Sequence, residues 1–294
     1  MKLCANNVSY SYPDGTKAIE DVNLCISSGE IVCLLGPNGS GKSTLLLLLA
    51  GLIKPTSGFI TLDGENLGKN YRRICGILFQ NPSDQLIAPT VGEDVSLGPK
   101  QLRLGSQEIE RRVKEALETL ELLGFEERSP FRLSGGEIAR VALAGLIALD
   151  PEIYLLDEPS SSLDLRGMEA LREVLRELKG RGKIVVIATQ DSDLVSEVAD
   201  KVYIFNKGRL VLGGSVDVLY EAPLEEIGVR APTTVRICKE ISQFLDECPL
   251  RLEDLINTLK GAFSSSRNQE RFKDFSSTEG LKLLEELPDP GERS

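Results

Sequence analysis

Apolar positions along the chain change period several times, and each change predicts a different element. Residues 1 to 30 read as short extended pieces broken at Pro13-Asp14-Gly15 and Ser28-Gly29, the pattern of an antiparallel edge sheet. The run Ile31-Val32-Cys33-Leu34-Leu35 is continuously apolar, as expected of a parallel strand covered on both faces. A glycine-rich turn and an apolar helix at about Lys42 to Leu52 follow it. Residues 56 to 80 return to short strands around Asp63-Gly64 and end on Gly76-Ile77-Leu78-Phe79-Gln80. Between about 90 and 150 the spacing becomes helical: Ile109, Val113, Leu117 and Leu120 share one face, with Ser106 the predicted N-cap and Gly124 the predicted stop. From 151, strands predicted at 153–157, 183–188 and 201–205 alternate with amphipathic helices at about 167–179 and 192–199. Asn206-Lys207-Gly208 then predicts a hairpin turn into Arg209-Leu210-Val211-Leu212. The tail after 231 predicts one short helix through Val235, Ile241, Phe244 and Leu245, and another through Leu252, Leu255, Ile256 and Leu259. A polar stretch at 263–280 follows, with Ser264-Ser265-Ser266 its one low-complexity tract.

With 294 residues and 41% hydrophobic content, the chain can bury a substantial core as one large α/β domain or two modest ones. Its 34 basic and 45 acidic residues give a net charge of −11, which argues against a sequence-blind nucleic-acid binder. The longest apolar run, Leu45 to Ile53, is far short of the roughly 20 residues that cross a bilayer. Met1-Lys2-Leu3-Cys4-Ala5-Asn6 lacks the apolar centre of a signal peptide, so a cytosolic location is expected. The six cysteines form no C-x-x-C pair and several lie in apolar runs, which predicts buried thiols rather than zinc ligands or disulfides. There is no histidine, so acid–base chemistry falls to carboxylates before Lys or Cys.

The segment Gly36-Pro37-Asn38-Gly39-Ser40-Gly41-Lys42-Ser43-Thr44 satisfies G-x-x-x-x-G-K-[ST] between a buried strand and a helix, the context this motif requires. Its glycines let the backbone curl into a nest of inward N–H groups. The helix N-terminus adds its dipole, Lys42 a point charge for the β and γ phosphates, and the Ser43 hydroxyl a ligand for Mg²⁺. Such a site takes a nucleoside triphosphate.

The apolar strand Ile153-Tyr154-Leu155-Leu156 ends in Asp157-Glu158, at the carboxyl edge where open α/β sheets bind ligands. Adjacent side chains on a strand point opposite ways, which suits two roles. Asp157 can hold a Mg²⁺-bound water and Glu158 can deprotonate the attacking water. Alone, the pair is better read as an acidic strand end that caps or solvates the next loop. A second anion site precedes it, because Leu133-Ser134-Gly135-Gly136-Glu137 opens a helix with a Ser N-cap and exposed N–H groups.

In their order, the phosphate loop, Gln80, Leu-Ser-Gly-Gly, Asp157-Glu158 and Ser161-Ser162-Leu163-Asp164 resemble the nucleotide-binding subunits of ABC transporters, over about residues 1 to 220. The resemblance implies an α/β fold: a P-loop NTPase core with an antiparallel β subdomain, an inserted α-helical subdomain and a short helical C-terminal extension. It implies an ABC ATPase domain at 1–230, its helical part at about 88–150, and an extension at 231–294. It also implies two ATPs sandwiched between two such domains. By position, Tyr12 is similar to the aromatic that stacks on adenine, although the sequence alone favours a packed edge-strand residue. Asn38, Gly39, Ser40, Gly41, Lys42, Ser43 and Thr44 match the phosphate cradle. Gln80 matches the residue that senses Mg²⁺ and γ-phosphate, Glu158 the base, Asp164 a contact across the dimer, and Ser134, Gly135 and Gly136 the signature that faces the partner's γ-phosphate.

Within that family, Phe79-Gln80-Asn81-Pro82-Ser83-Asp84-Gln85-Leu86, Val8-Ser9-Tyr10-Ser11-Tyr12-Pro13, Val91-Gly92-Glu93-Asp94-Val95 and Pro223-Leu224-Glu225-Glu226 resemble the ATPases of energy-coupling factor importers, which take up metal ions or vitamins. That likeness implies a second ATPase subunit, identical or paralogous, and a transmembrane coupling protein docked near Gln80. A substrate-binding membrane subunit is implied indirectly, nucleic acid is not, and the ATPase lies peripheral on the inner face of the cell membrane.

Two departures stand out. Gln190 occupies the place of a histidine that contacts the γ-phosphate, and Glu137 that of a commoner glutamine, which puts a carboxylate near the partner's nucleotide. A neutral amide contributes about 0.5–1.5 kcal/mol where a charged group gives about 1.5–3. Two readings of Gln190 stay open: slowed hydrolysis with retained binding, or an active enzyme in which glutamine suffices. The competing functions are a soluble mechanochemical protein of the same class and an ATP sensor with little turnover. The tail reads either as a dimerisation element or as a solvated appendage.

Overall fold

A computed structural model describes residues 1–241, 245 and 248–264. Phe244 and the polar stretch from Ser265 to 280 lie outside the described residues. The chain divides between Ala231 and Pro232 into two units.

The first unit begins with β1 (Lys2–Ser11), β2 (Lys17–Ser27), β3 (Ile31–Leu35) and α1 (Lys42–Leu49), then β4 (Ser57–Leu62), β5 (Glu65–Asn66) and β6 (Cys75–Leu78). Four helices follow: α2 (Val91–Val95), α3 (Leu97–Gln101), α4 (Ser106–Thr119) and α5 (Gly135–Leu149). It closes with β7 (Ile153–Asp157), α6 (Leu165–Gly180), β8 (Ile184–Thr189), α7 (Ser192–Val198), β9 (Lys201–Asn206), β10 (Arg209–Ser215) and α8 (Val218–Glu221). In the second unit, α9 spans Thr233–Ile241 and α10 Leu252–Ser264. Among the described residues, no helix is long and apolar enough to cross a membrane.

Two sheets carry the first unit. An antiparallel sheet has the order β2-β1-β4-β5, and a six-stranded sheet the order β10-β9-β3-β8-β7-β6. In the larger sheet β9, β3, β8, β7 and β6 run parallel and only β10 is antiparallel. Every residue of β3, β7 and β8 is buried, which explains why each is apolar with no alternation. Helix α1 is apolar nearly all round because Leu45, Leu46, Leu48 and Leu49 are enclosed in one core with residues of both sheets.

Several boundaries move for identifiable reasons. Helix α1 stops at Leu49 rather than Leu52, because Gly51 enters the left-handed region at φ 66° and Leu52 N–H turns back to Leu47 O. Ser106 is the first residue of α4 and Gly105 its N-cap. The helix ends at Thr119, before Gly124, where Leu122 N–H closes on Leu117 O at 2.8 Å and carries Leu122 into the core. The predicted hairpin is present, with Lys207 at φ 48° and Gly208 at φ 80°, the left-handed pair of a type I′ turn.

The expectation that no cysteine is bridged is corrected. Cys4 and Cys25 face each other in the β1–β2 register and form a disulfide, with Cα atoms 4.2 Å apart. Their separation of 21 residues gives no motif; only the strand pairing brings them together. Cys33 and Cys238 are buried thiols as expected, and burial pushes Cys75 and Cys238 up to about 12.

Candidate active site

The loop after β3 is dictated by what lies behind it. A Cβ on Gly36 would stand 2.3 Å from Phe205 O, and one on Gly41 2.5 Å from Ala18 O. Gly41 also has φ 104°, a conformation that only glycine adopts freely. The loop is therefore confined between β9 and β2. Lys42, 5% exposed, donates from Nζ to Gly36 O at 2.7 Å and Pro37 O at 3.1 Å, and lies 4.0 Å from Glu158 Oε1. Burial lowers its pKa, while Glu158 and Asp157 oppose that shift.

Asn38 through Thr44 line a cleft of about 520 Å³, together with Tyr12, Gln80 and Glu158. Tyr12 stands 38% exposed at its edge, its hydroxyl 2.9 Å from Thr44 Oγ1 and its ring edge-on to Tyr10 at 5.1 Å. Thr16, Lys17 and Ala18 also line the cleft and were missed in the sequence. They carry no motif, and reach it only because the 12–16 turn folds β2 back along β1, with Tyr12 N–H on Thr16 O at 2.9 Å.

Gln80 is exposed on a loop braced at both ends. Gln85 accepts the Phe79 N–H at 2.7 Å and donates to Ile77 O at 3.0 Å. Asp94 accepts the Ile87 and Ala88 amides at 2.8 and 2.9 Å, tying the far end to α2.

The two carboxylates depart from simple strand alternation. Asp157 is the last residue of β7, whereas Glu158 lies beyond it with φ 47°, a left-handed conformation that costs a residue with a Cβ. Both are buried and both carry one oxygen without a hydrogen-bond partner, Asp157 Oδ1 and Glu158 Oε1. Burial raises the Asp157 pKa against a Ser43 hydroxyl hydrogen bond and the Lys42 charge. Burial likewise raises that of Glu158, against Thr189, Lys42 and the Gln190 amide. An unsatisfied buried carboxylate oxygen beside a serine hydroxyl is a hard-oxygen donor set suited to Mg²⁺.

Ser134, Gly135, Gly136 and Asp164 do not line that cleft. They form a second cluster, where a Cβ on Gly136 would lie 3.2 Å from Ser162 O. Asp164 caps α6 by accepting the Gly167 N–H at 2.8 Å and lies 4.0 Å from Arg140 of α5. Glu137 has a local purpose, closing a capping box with Ser134: its Oε2 accepts from Ser134 N at 2.7 Å and Ser134 Oγ at 2.8 Å. Those two bonds hold its pKa below the usual carboxylate value. Glu137→Ala is expected to lower the thermal midpoint, because the Ser134 amide loses its acceptor. The difference from wild type is present in full above the ordinary glutamate pKa and disappears as the pH falls through the depressed one. Gln190 has an exposed side chain, and its backbone N–H points at Glu158 Oε2 at 3.4 Å.

A glycine loop between a buried parallel strand and a helix, with carboxylates at the end of a nearby strand, defines a P-loop nucleoside triphosphatase fold. Residues 19–161 match the family model for ABC transporters. Over 219 residues the chain is 46% identical to the energy-coupling factor transporter ATP-binding protein EcfA of Methanococcus maripaludis, covering 72% of this chain and 79% of that protein. The solved structure of cbiO1 from Clostridium perfringens, described as part of the ABC transporter complex cbiONQ, matches with a TM-score of 0.67 at 32% identity over 81% of this chain and 98% of that one. The ATP-binding cassette MJ0796, solved as a dimer in a post-hydrolysis state bound to ADP and Pi, matches with a TM-score of 0.66 at 31% identity over 73% and 98%. The chain belongs to the ABC transporter family, as an ATP-binding subunit close to the energy-coupling factor type.

Proposed function

We propose that this chain binds and hydrolyses ATP to energise an importer of the energy-coupling factor type, one that takes up a metal ion or a vitamin. The observation that carries this reading is Glu158: a buried carboxylate beside the phosphate loop, 4.0 Å from Lys42, with one oxygen unpartnered.

The loop amides from Asn38 to Thr44 cradle the phosphates and Tyr12 takes the adenine. Lys42 exchanges its two carbonyl partners for β and γ phosphate oxygens, so its charge is already in place when negative charge shifts during phosphoryl transfer. Ser43, Gln80 and Asp157 would hold Mg²⁺, which neutralises charge on the same oxygens. Glu158 Oε1 accepts a proton from the attacking water as the water oxygen bonds to the γ-phosphorus and the bond to the ADP oxygen breaks. Since Ser134, Gly135, Gly136 and Asp164 stand apart from the cleft of their own chain, each site is completed by a second ATPase subunit. That subunit supplies the capped N-terminus of its α5 to the γ-phosphate.

The braced Gln80 loop ends on Ile87, whose side chain is 74% exposed. This loop is the proposed seat of the transmembrane coupling protein, through which the substrate-binding membrane subunit is driven indirectly. The ATPase accordingly lies peripheral to the inner membrane face, with the 231–294 extension as a dimerisation element.

Phosphate release by the purified chain, alone and with its membrane partners, tests the reading; ATP binding without any turnover would leave only a nucleotide sensor. In the same assay Gln190→His is expected to raise the steady-state rate several-fold, since a charge-assisted hydrogen bond is worth about 1 kcal/mol more than a neutral one. An unchanged rate would mean that glutamine suffices.

A further inference from the structure

Glu158 is held by a side chain that its own motif does not supply. Thr189, the last residue of β8 and fully buried, donates its hydroxyl proton to Glu158 Oε2 at 2.8 Å. Its oxygen accepts the Asp191 N–H at 3.0 Å, so the one donor of the hydroxyl is left for the carboxylate. The Gln190 N–H reaches the same Oε2 at 3.4 Å. Both donors converge on one oxygen, and Oε1 is left without a hydrogen bond, 4.0 Å from Lys42 Nζ.

We propose that Thr189 is the positioning residue of the hydrolytic carboxylate: its hydroxyl pins Oε2 and so presents Oε1 to the cleft. The proposal rests on Glu158 being the base. Three features support it. Thr189 follows Ile184-Val185-Val186-Ile187-Ala188, all buried, where a hydroxyl costs desolvation unless it is bonded and Val would pack with the same shape. Glu158 sits in a left-handed turn just past its strand with its backbone N–H held by Ala188 O at 2.8 Å, so what remains to be fixed is the side chain, and Thr189 fixes it. That hydrogen bond belongs to a continuous node, because Asp191 caps α7 through the Leu194 N–H at 3.1 Å and accepts the Ser160 hydroxyl at 3.3 Å. Residue 190 acts on the base only through its backbone, so the node works without a side chain at that position.

The test is steady-state and single-turnover hydrolysis by the full-length chain. Thr189→Val is expected to lower kcat about tenfold to a hundredfold, the cost of a misplaced reacting group, with KM for ATP within about twofold of wild type. Thr189→Ser, which restores the hydroxyl, is expected to recover most of the rate. In a Glu158→Gln background Thr189→Val should add no further loss, as required of two residues acting as one unit. If the valine variant fails to fold, Thr189→Ala carries the same comparison. The idea is overturned by wild-type kcat in Thr189→Val, by a serine variant as slow as the valine one, or by a full additional loss in the Glu158→Gln background. Rapid turnover by Glu158→Gln itself would instead remove the base assignment, whereas a slow Glu158→Gln beside a fast Thr189→Val removes only the positioning role.

Discussion

Glu158→Gln is expected to lower phosphate release by about 10² to 10⁴-fold, the range for losing a general base, while ATP binding stays within a few-fold of wild type. The substitution keeps the shape and can still accept the Thr189 proton, so the turn at φ 47° has no reason to relax. It removes the carboxylate whose unpartnered oxygen lies 4.0 Å from Lys42 Nζ. The variant should therefore accumulate with ATP bound, as a nucleotide-dependent dimer on size exclusion. Hydrolysis at the wild-type rate would refute the assignment. Because burial raises the Glu158 pKa, the wild-type rate should fall on acidification at a higher pH than an ordinary glutamate would give, as the base is protonated.

Lys42→Ala is expected to weaken ATP binding by at least about 10²-fold, measured by calorimetry. Two charge-assisted hydrogen bonds to phosphate oxygens are lost, at about 1.5–3 kcal/mol each. The folded protein responds as well: Lys42 is the buried cation facing Asp157 and Glu158, and its removal raises the cost of ionising two buried carboxylates. Unchanged affinity would show that the loop amides alone hold the triphosphate.

How legible was the site? The phosphate loop could be read directly, because its glycines answer to a backbone geometry that no other residue supplies, and Gly36 and Gly41 are closed off by carbonyls of neighbouring strands. Asp157 and Glu158 were visible as acids at a strand end. Their different backbone states were not, since a left-handed Glu158 leaves no mark in the spacing. Glu137 was read as a carboxylate placed beside a partner's nucleotide; its local part in the capping box with Ser134 was not read. Gln85 and Asp94 stood in stretches that carry the family resemblance, but their bracing roles, like that of Thr189, left no signal because each works through hydrogen bonds to residues whose positions the fold decides.

What the sequence determined by itself was the alternation of buried strands with helices, the glycine loop before α1 and the absence of any histidine. All three follow from local rules of period, backbone freedom and residue chemistry. Only the tertiary structure decided that Cys4 meets Cys25, that Thr16 to Ala18 reach the cleft, and that Ser134 stands away from Lys42. Such facts depend on which strands pair and how elements distant in the chain pack. Residues far apart in sequence acquire a distance only when the chain has closed around its core.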